Sequence, residues 1–190
     1  IQDIGAWVLR TACHTASQWR EPYRISVNVS AEQFRYHDLL TLVQDVVQTT
    51  GLPPERLELE LTESTIFVDK ERALHTLRGL KALGISLAID DYGTGYSSLD
   101  LIRSFNFDRI KIDNSFVSYA LQNTTDMAII RSVIFLGRVL VIPVLAAGVV
   151  TEDPLAFLEN EGCHEIQGFL LSRPLPLDQL VSTVCLRLTA

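Results

Sequence analysis

Basic charge is what this sequence has least of. Its 190 residues carry 16 Lys and Arg against 23 Asp and Glu, a formal net charge of −7, with no basic cluster able to displace counterions from a duplex. Broad contact with duplex nucleic acid is therefore excluded, whereas a small anionic ligand remains open if a metal ion carries it. Cysteine is nearly as scarce. Cys13, Cys163 and Cys185 lie far apart and form no CxxC pair, so neither a disulfide framework nor a zinc site is indicated, and a reducing cytoplasm fits best. No unbroken apolar run is long enough to span a bilayer: the longest stretch, Val133 to Val150, is interrupted by Gly137, Arg138 and Pro143. No membrane contact is expected of this segment, which leaves open a membrane anchor elsewhere in the parent protein. The chain opens at Ile1 with no basic n-region, signal h-region or initiator Met, and reads as a piece of something longer. His14, His37, His75 and His164 show no HxxxH spacing, and the "GTG" at 93–95 lacks the glycine spacing of a dinucleotide fingerprint.

Alternation of strand and helix patterns is what the sequence does have. Residues 4–19 place Ile4, Trp7, Val8 and Ala12 on one helical stripe, and "YRISVNVS" (23–30) then alternates as a strand. Helices are expected over 36–51, 69–84, about 97–104, 125–141 and 154–161, with a last one from Leu177. Strands are expected at 57–63, 85–90, 109–113, 143–148 and 164–168. Val139 to Leu145 reads as strand-forming core, and Phe105, Phe107, Phe116 and Phe135 as packing rather than a stacking platform. Such a rhythm, with 47% apolar residues, specifies a single α/β domain built on a parallel sheet, either doubly wound or closed as a (β/α) barrel. The polar residues at predicted strand ends favour the barrel. Asn28, Glu60, Asp90, Asp91, Lys111 and Gln167 come from five different strands, as a barrel mouth requires. A full barrel runs to roughly 250 residues, so this one is expected to be incomplete at its N-terminus, short of one or two βα units and so of its first strands.

"LAIDDYGTGYSSL" (87–99) concentrates the chemistry. A buried strand ending in two adjacent carboxylates is tolerable only if a cation or several donors neutralise them. With Asn28 and Glu60 the donor set is all oxygen, which suits Mg²⁺ or Mn²⁺ rather than zinc, and two such ions would serve in-line phosphodiester hydrolysis. Blander roles exist for each residue: an Asx turn for Asp91, a strand-end hydrogen bond for Asn28, an ion pair with Lys111 for Glu60. A different Mg²⁺-dependent barrel enzyme, forming an enolate with a lysine base, would want similar groups.

Five blocks in order, "NVS" (28–30), "LPPERLELELTES" (52–64), "AIDDYGTGYSSL" (88–99), "KIDNSFV" (111–117) and "IQGFLLSRPLP" (166–176), make the chain resemble the EAL family of bacterial cyclic di-GMP phosphodiesterases along nearly its whole length. That resemblance implies a modified TIM-type barrel and Mg²⁺- or Mn²⁺-dependent opening of cyclic di-GMP to the linear dinucleotide. It also implies metal-ligand positions at Asn28, Glu60, Asp90 and Asp91, and catalytic roles for Lys111 (holding the attacking water) and Glu63 (bracing the loop after "DDYGTG"). Ligand contacts fall by the same resemblance on Gln167, Asp91, Arg173 and Pro174. The implied partners are cyclic di-GMP, regulatory or sensory domains of a parent protein, and a second copy paired through Leu99, Ile102 and Phe105.

Two departures change the expectation. The Glu-Ala-Leu segment that names the family, with its metal-ligating glutamate, does not occur here. Where the family reads Ala-Glu-Gly-Val-Glu-Thr, this chain reads "AAGVVT" (146–151), placing Ala147 and Val150 where the family has glutamates. A methyl group cannot take a proton from water, a loss of on the order of 10²–10⁴-fold in rate. Binding without efficient cleavage is the expected activity, with a working phosphodiesterase as the alternative.

Overall fold

The computed structural model describes residues 2–36, 38–67, 69–94 and 98–180. His37, Gly95, Cys185 and all but the start of the last expected helix lie outside them. Strands β1 (Ile25–Asn28), β2 (Leu57–Thr62), β3 (Ser86–Tyr92), β4 (Arg109–Ile112), β5 (Val144–Ala147) and β6 (Glu165–Gln167) form one parallel sheet in strict chain order. An order that never reverses has no switch point, which removes the doubly wound alternative. With the helices it is a half-barrel. The helices are α1 (Gln2–Ser17), α2 (Ala31–Tyr36), α3 (Leu39–Thr50), α4 (Glu63–Phe67), α5 (Lys70–Ala82), α6 (Ser98–Ser104), α7 (Asn114–Tyr119), α8 (Thr124–Leu140) and α9 (Glu152–Glu161).

The pleat sorts the chemistry. In β2, Leu57, Leu59 and Leu61 are wholly buried in the hydrophobic core, which also takes Leu87 and Ile89 of β3 and Ile110 and Ile112 of β4. The alternate residues Glu58, Glu60, Arg109 and Lys111 share the other, concave face, because side chains in a strand repeat every two residues. Arg56, from the "PPERL" block, donates to the carbonyls of Ala16, Glu21 and Tyr23, pinning the end of α1 and the entry to β1 against the start of β2.

Several expected details are corrected. The stripe Ile4, Trp7 and Val8 lies at the surface, with Trp7 64% exposed. α1 is buried instead through Leu9, Cys13 and Ala16, whose two small side chains let α3 approach closely. Both faces of α1 are apolar, so periodicity alone could not choose between them. The helix expected over 36–51 is α3, which starts three residues later where Asp38 caps it by accepting from Thr41 N at 3.1 Å, and the short α2 before it was not expected. Short helices α4 and α7 directly after β2 and β4 escaped the pattern, being too brief to show a period. Phe135 is 64% exposed rather than packed, because α8 buries Ile130, Val133, Ile134 and Gly137. Val139 to Leu145 is not a strand: α8 runs to Leu140, Val141 takes φ 58°, and β5 begins only at Val144. Of the proposed pairing stripe only Leu99 stands out, since Ile102 is half-buried and Phe105 packs edge-on against Phe107 with ring centroids 5.0 Å apart.

Candidate functional site

The strand ends meet at one mouth. Asn28 pairs with Glu60, Glu60 with Ala88, Thr62 with Asp90, and Ala147 with Gln167 in the registers of the parallel ladder. Lys111 stands between two carboxylates, its Nζ donating to Glu60 Oε2 at 2.5 Å and to Asp90 Oδ2 at 3.0 Å. Glu60 and Lys111 are buried, 7% and 4% exposed. Burial alone would lower the Lys111 pKa. The hydrogen bond and charge of Glu60, and those of Asp90, outweigh it and hold the ammonium above the usual lysine value.

Two adjacent aspartates ordinarily point to opposite faces of a strand. Here the ladder between β3 and β4 shifts register between Ile89 and Tyr92, and Asp91 takes φ 54°, a left-handed conformation uncommon outside glycine. The irregularity re-aims Asp91 towards Asp113, which directly follows β4 and lies within hydrogen-bonding reach of it. Burial, the Asp90 charge and the Asp113 partner push Asp91 up to about 6. Burial acts the same way on Asp113, but hydrogen bonds from Ser115 and from Asp91 prevail and hold it below the ordinary aspartate value. Asp113 also caps α7 by accepting from Ser115 N at 3.0 Å. Sequence reading passed over Asp113; the rule that picked Asp90, a carboxylate closing a barrel strand, would have found it.

The loop after β3 is tied to the start of α4. Glu63 Oε1, buried at the start of α4, accepts from Gly93 N at 3.1 Å, and Gly93 itself has φ 99°, natural only for glycine. The loops after β5 and β6 close on each other at Gly168, where any Cβ would stand 2.0 Å from the Val149 carbonyl oxygen. Gln167 is exposed at the end of β6. Arg173 and Pro174 are exposed beyond it, with the Arg173 guanidinium 4.7 Å from the centre of the Phe169 ring. Ala147 ends β5 beside Gln167, and Val150 is exposed on the following loop. The structure thus brings Glu60, Asp90 and Lys111 into direct contact, with Asp91 next to Asp90 and Asn28 next to Glu60 in register. Arg173 and Pro174 are not part of that contact network.

The donors suit a hard cation. Carboxylates crowd here until the Asp91 pKa is pushed up to about 6, and none of the candidate donors is a soft sulfur or an imidazole. Among the described residues, however, no three His, Cys, Asp or Glu side chains stand close enough to hold a metal ion; Lys111 already spans Glu60 and Asp90.

Comparison with known proteins settles the lineage. The EAL domain family profile matches residues 1–174. The chain belongs to the EAL-domain family. Within it, the chain is 53% identical over 95% of its length to an uncharacterized signaling protein of Caulobacter vibrioides, of which it spans 22%. It is 39% identical over 97% of its length to the bifunctional diguanylate cyclase/cyclic di-GMP phosphodiesterase MucR of Pseudomonas aeruginosa, of which it spans 27%. The solved c-di-GMP complex of the PaMucR phosphodiesterase superposes with a TM-score of 0.89 at 40% identity, covering 94% of this chain and 74% of that one. The manganese and cy-diGMP complex of Klebsiella pneumoniae BlrP1 superposes at 0.84 and 31% identity, covering 91% of this chain and 45% of that one. These EAL relatives leave the enolate-forming barrel without support. The chain covers about a quarter of its curated relatives, so whole-protein roles do not transfer with the fold. Among the described residues no helix is long and apolar enough to cross a membrane.

Proposed function

We propose that this EAL-type domain, a single unit within a longer signalling protein of the cytoplasm, binds cyclic di-GMP and cleaves it poorly or not at all, its output being ligand or partner binding. The observation that carries this reading is Ala147. It closes β5 beside Gln167, on a strand whose Leu145 pairs with Lys111, yet it offers only a methyl group to the mouth. Neither a proton nor an ordered water can be held there, a deficit of on the order of 10²–10⁴-fold in rate.

A divalent ion, Mg²⁺ or Mn²⁺, would be held by Asp91, Asp90, Glu60 and Asn28 only once Lys111 released Glu60 and Asp90 and the carboxylates drew together, since among the described residues no three stand close enough to hold one; when bound it would polarise a phosphoryl oxygen and neutralise the ligand's charge. The chain's own residues do the rest. Lys111 supplies a fixed positive charge and donors beside Glu60 and Asp90, suited to a phosphodiester or to the water that adds across its P–O bond. Glu63 holds the loop after β3 in place through Gly93. Gln167, Arg173 and Pro174 lie towards the ligand's outer parts. Retention of Lys111, Glu60, Asp90 and Asp91 favours the second reading, an active phosphodiesterase that opens cyclic di-GMP to the linear dinucleotide. A weak homodimer through α6 rests on Leu99 alone, and light scattering at high concentration tests it.

An assay of linear product on the full protein, with and without Ala147→Glu, decides between the readings. The expected result is binding with very slow turnover in the wild type and a faster rate in the variant. Rapid turnover by the wild type refutes impaired catalysis.

A further inference from the structure

Beneath the residues that meet at the mouth lies a second polar layer on the same concave face. Ser26 stands two residues before Asn28, Glu58 two before Glu60, Arg109 two before Lys111, and Glu165 two before Gln167. In a strand that spacing puts each on the same face as the residue above it, about 6.6 Å lower. The layer is joined across the sheet. Arg109 Nε donates to Glu58 Oε2 at 3.0 Å and its Nη1 to Glu165 Oε2, while Ser26 Oγ donates to Glu58 Oε1 at 2.9 Å. β2, β4 and β6 are not neighbours, since β3 and β5 lie between them; one guanidinium therefore bridges strands that share no ladder.

We propose that Arg109 is a positioning residue whose fork ties β2 to β6 across the concave face and thereby fixes how far Glu60, Lys111 and Gln167 stand from one another. Stability alone is a poor account of the arrangement. A buried ion pair recovers little more than its desolvation cost, and its best-attested use is to fix a register. The residue type fits the task, because a planar fork holds its donors apart in fixed directions and so reaches carboxylates on strands that share no ladder; a lysine ammonium, like that of Lys111, is a point charge that gathers carboxylates around one atom. Where the function enters, this inference rests on the binding reading above.

The test uses the full protein. Glu58→Gln with Arg109→Met removes the fork without leaving a buried charge unpaired, and Glu165, with 41% of its side chain exposed, is left to water. Arg109→Lys keeps the charge but not the span. Three quantities are measured: the melting temperature, calorimetric affinity for cyclic di-GMP with Mg²⁺, and the ¹⁵N resonance of the Lys111 ammonium. A misplacement on the order of 1 Å costs up to about 100-fold at a binding group. The expected outcome is affinity weakened roughly 10-fold and a broadened, faster-exchanging Lys111 signal in both variants, with melting little changed in the neutral pair. Lower melting with unchanged affinity and an unchanged Lys111 signal overturns the proposal, as does full rescue by lysine. Should the neutral pair fail to fold, Glu165→Gln alone, which frees the more exposed half of the fork, must show the same changes roughly 3-fold smaller. If the wild type binds no cyclic di-GMP, the proposed function fails, while the Lys111 resonance still decides the role of Arg109.

Discussion

Replacing Lys111 by Met tests how the mouth is held together. The substitution keeps an unbranched chain of similar length and removes only the ammonium, so packing is nearly conserved and the effect is electrostatic. Glu60, with 8% of its side chain exposed, loses its cation; Asp90, at 15%, keeps a hydrogen bond from Asp91 N at 3.0 Å and more access to water. Breaking a buried pair by removing one partner costs about 3–5 kcal/mol, and with Asp90 partly solvated the lower end applies, about 3 kcal/mol. In a chain of this size that is a fall in melting temperature of roughly 6–12 °C. The pH dependence has a definite sign. Because the folded pKa of Lys111 is raised, its contribution is complete below the unfolded lysine value, about 10.4, and drains away as pH climbs through the higher folded value. Urea denaturation of both proteins should therefore show a gap that is flat from about pH 7 to 10 and narrows above it. A gap under about 1 kcal/mol at pH 8, or one that persists undiminished at alkaline pH, would refute the assigned ion pairs.

Three further expectations concern the scaffold. Val141→Gly should stabilise the fold by about 0.5–1 kcal/mol in denaturant melts, because a β-branched residue at φ 58° is strained and its side chain, 88% exposed, gives up no packing; a destabilised variant would contradict this. Asp38→Ala should cost about 1 kcal/mol by removing the cap of α3. Thr41 hydrogen bonds hold the Asp38 pKa low, so this loss should be present at neutral pH and disappear as pH falls through that lowered value. Cys13 and Cys163, both buried with thiols pushed up to about 11, should resist iodoacetamide at pH 8 until the chain unfolds, as mass spectrometry of the alkylated peptides would read; prompt labelling of either would show that the core around it opens.

Which parts of this architecture could be read from the sequence follows from the range of the forces involved. Alternating strands and helices were legible because burying "LELELT" or "LAI" requires a local period, and the barrel was legible because polar residues closed five strands rather than one. That Glu60, Asp90 and Lys111 would meet at strand ends was legible for the same reason, and the structure adds the Lys111 contacts to both carboxylates and the Gly93 contact to Glu63. What escaped were choices made between elements. Ile4 and Trp7 or Leu9 and Cys13 could equally have faced the core, and only the docking of α3 against α1 decides it. Two adjacent aspartates could serve one mouth only if the strand broke its alternation, and the shift between Ile89 and Tyr92 is a property of the ladder with β4 rather than of "IDDY" itself. Asp113 could have been picked as a strand-closing carboxylate, but its pairing with Asp91 could not, because the two are 22 positions apart and meet only through that irregularity. The Glu58–Arg109–Glu165 layer was hidden for the opposite reason. Its residues look like ordinary surface charges inside core strands, and their meaning emerges only once parallel registers place each two positions below a residue of the mouth. If the proposal holds, the half-barrel is organised in two tiers, the lower setting distances and the upper meeting the ligand, and this separation is what would let the upper tier carry Ala147 in place of a glutamate while the binding geometry persists.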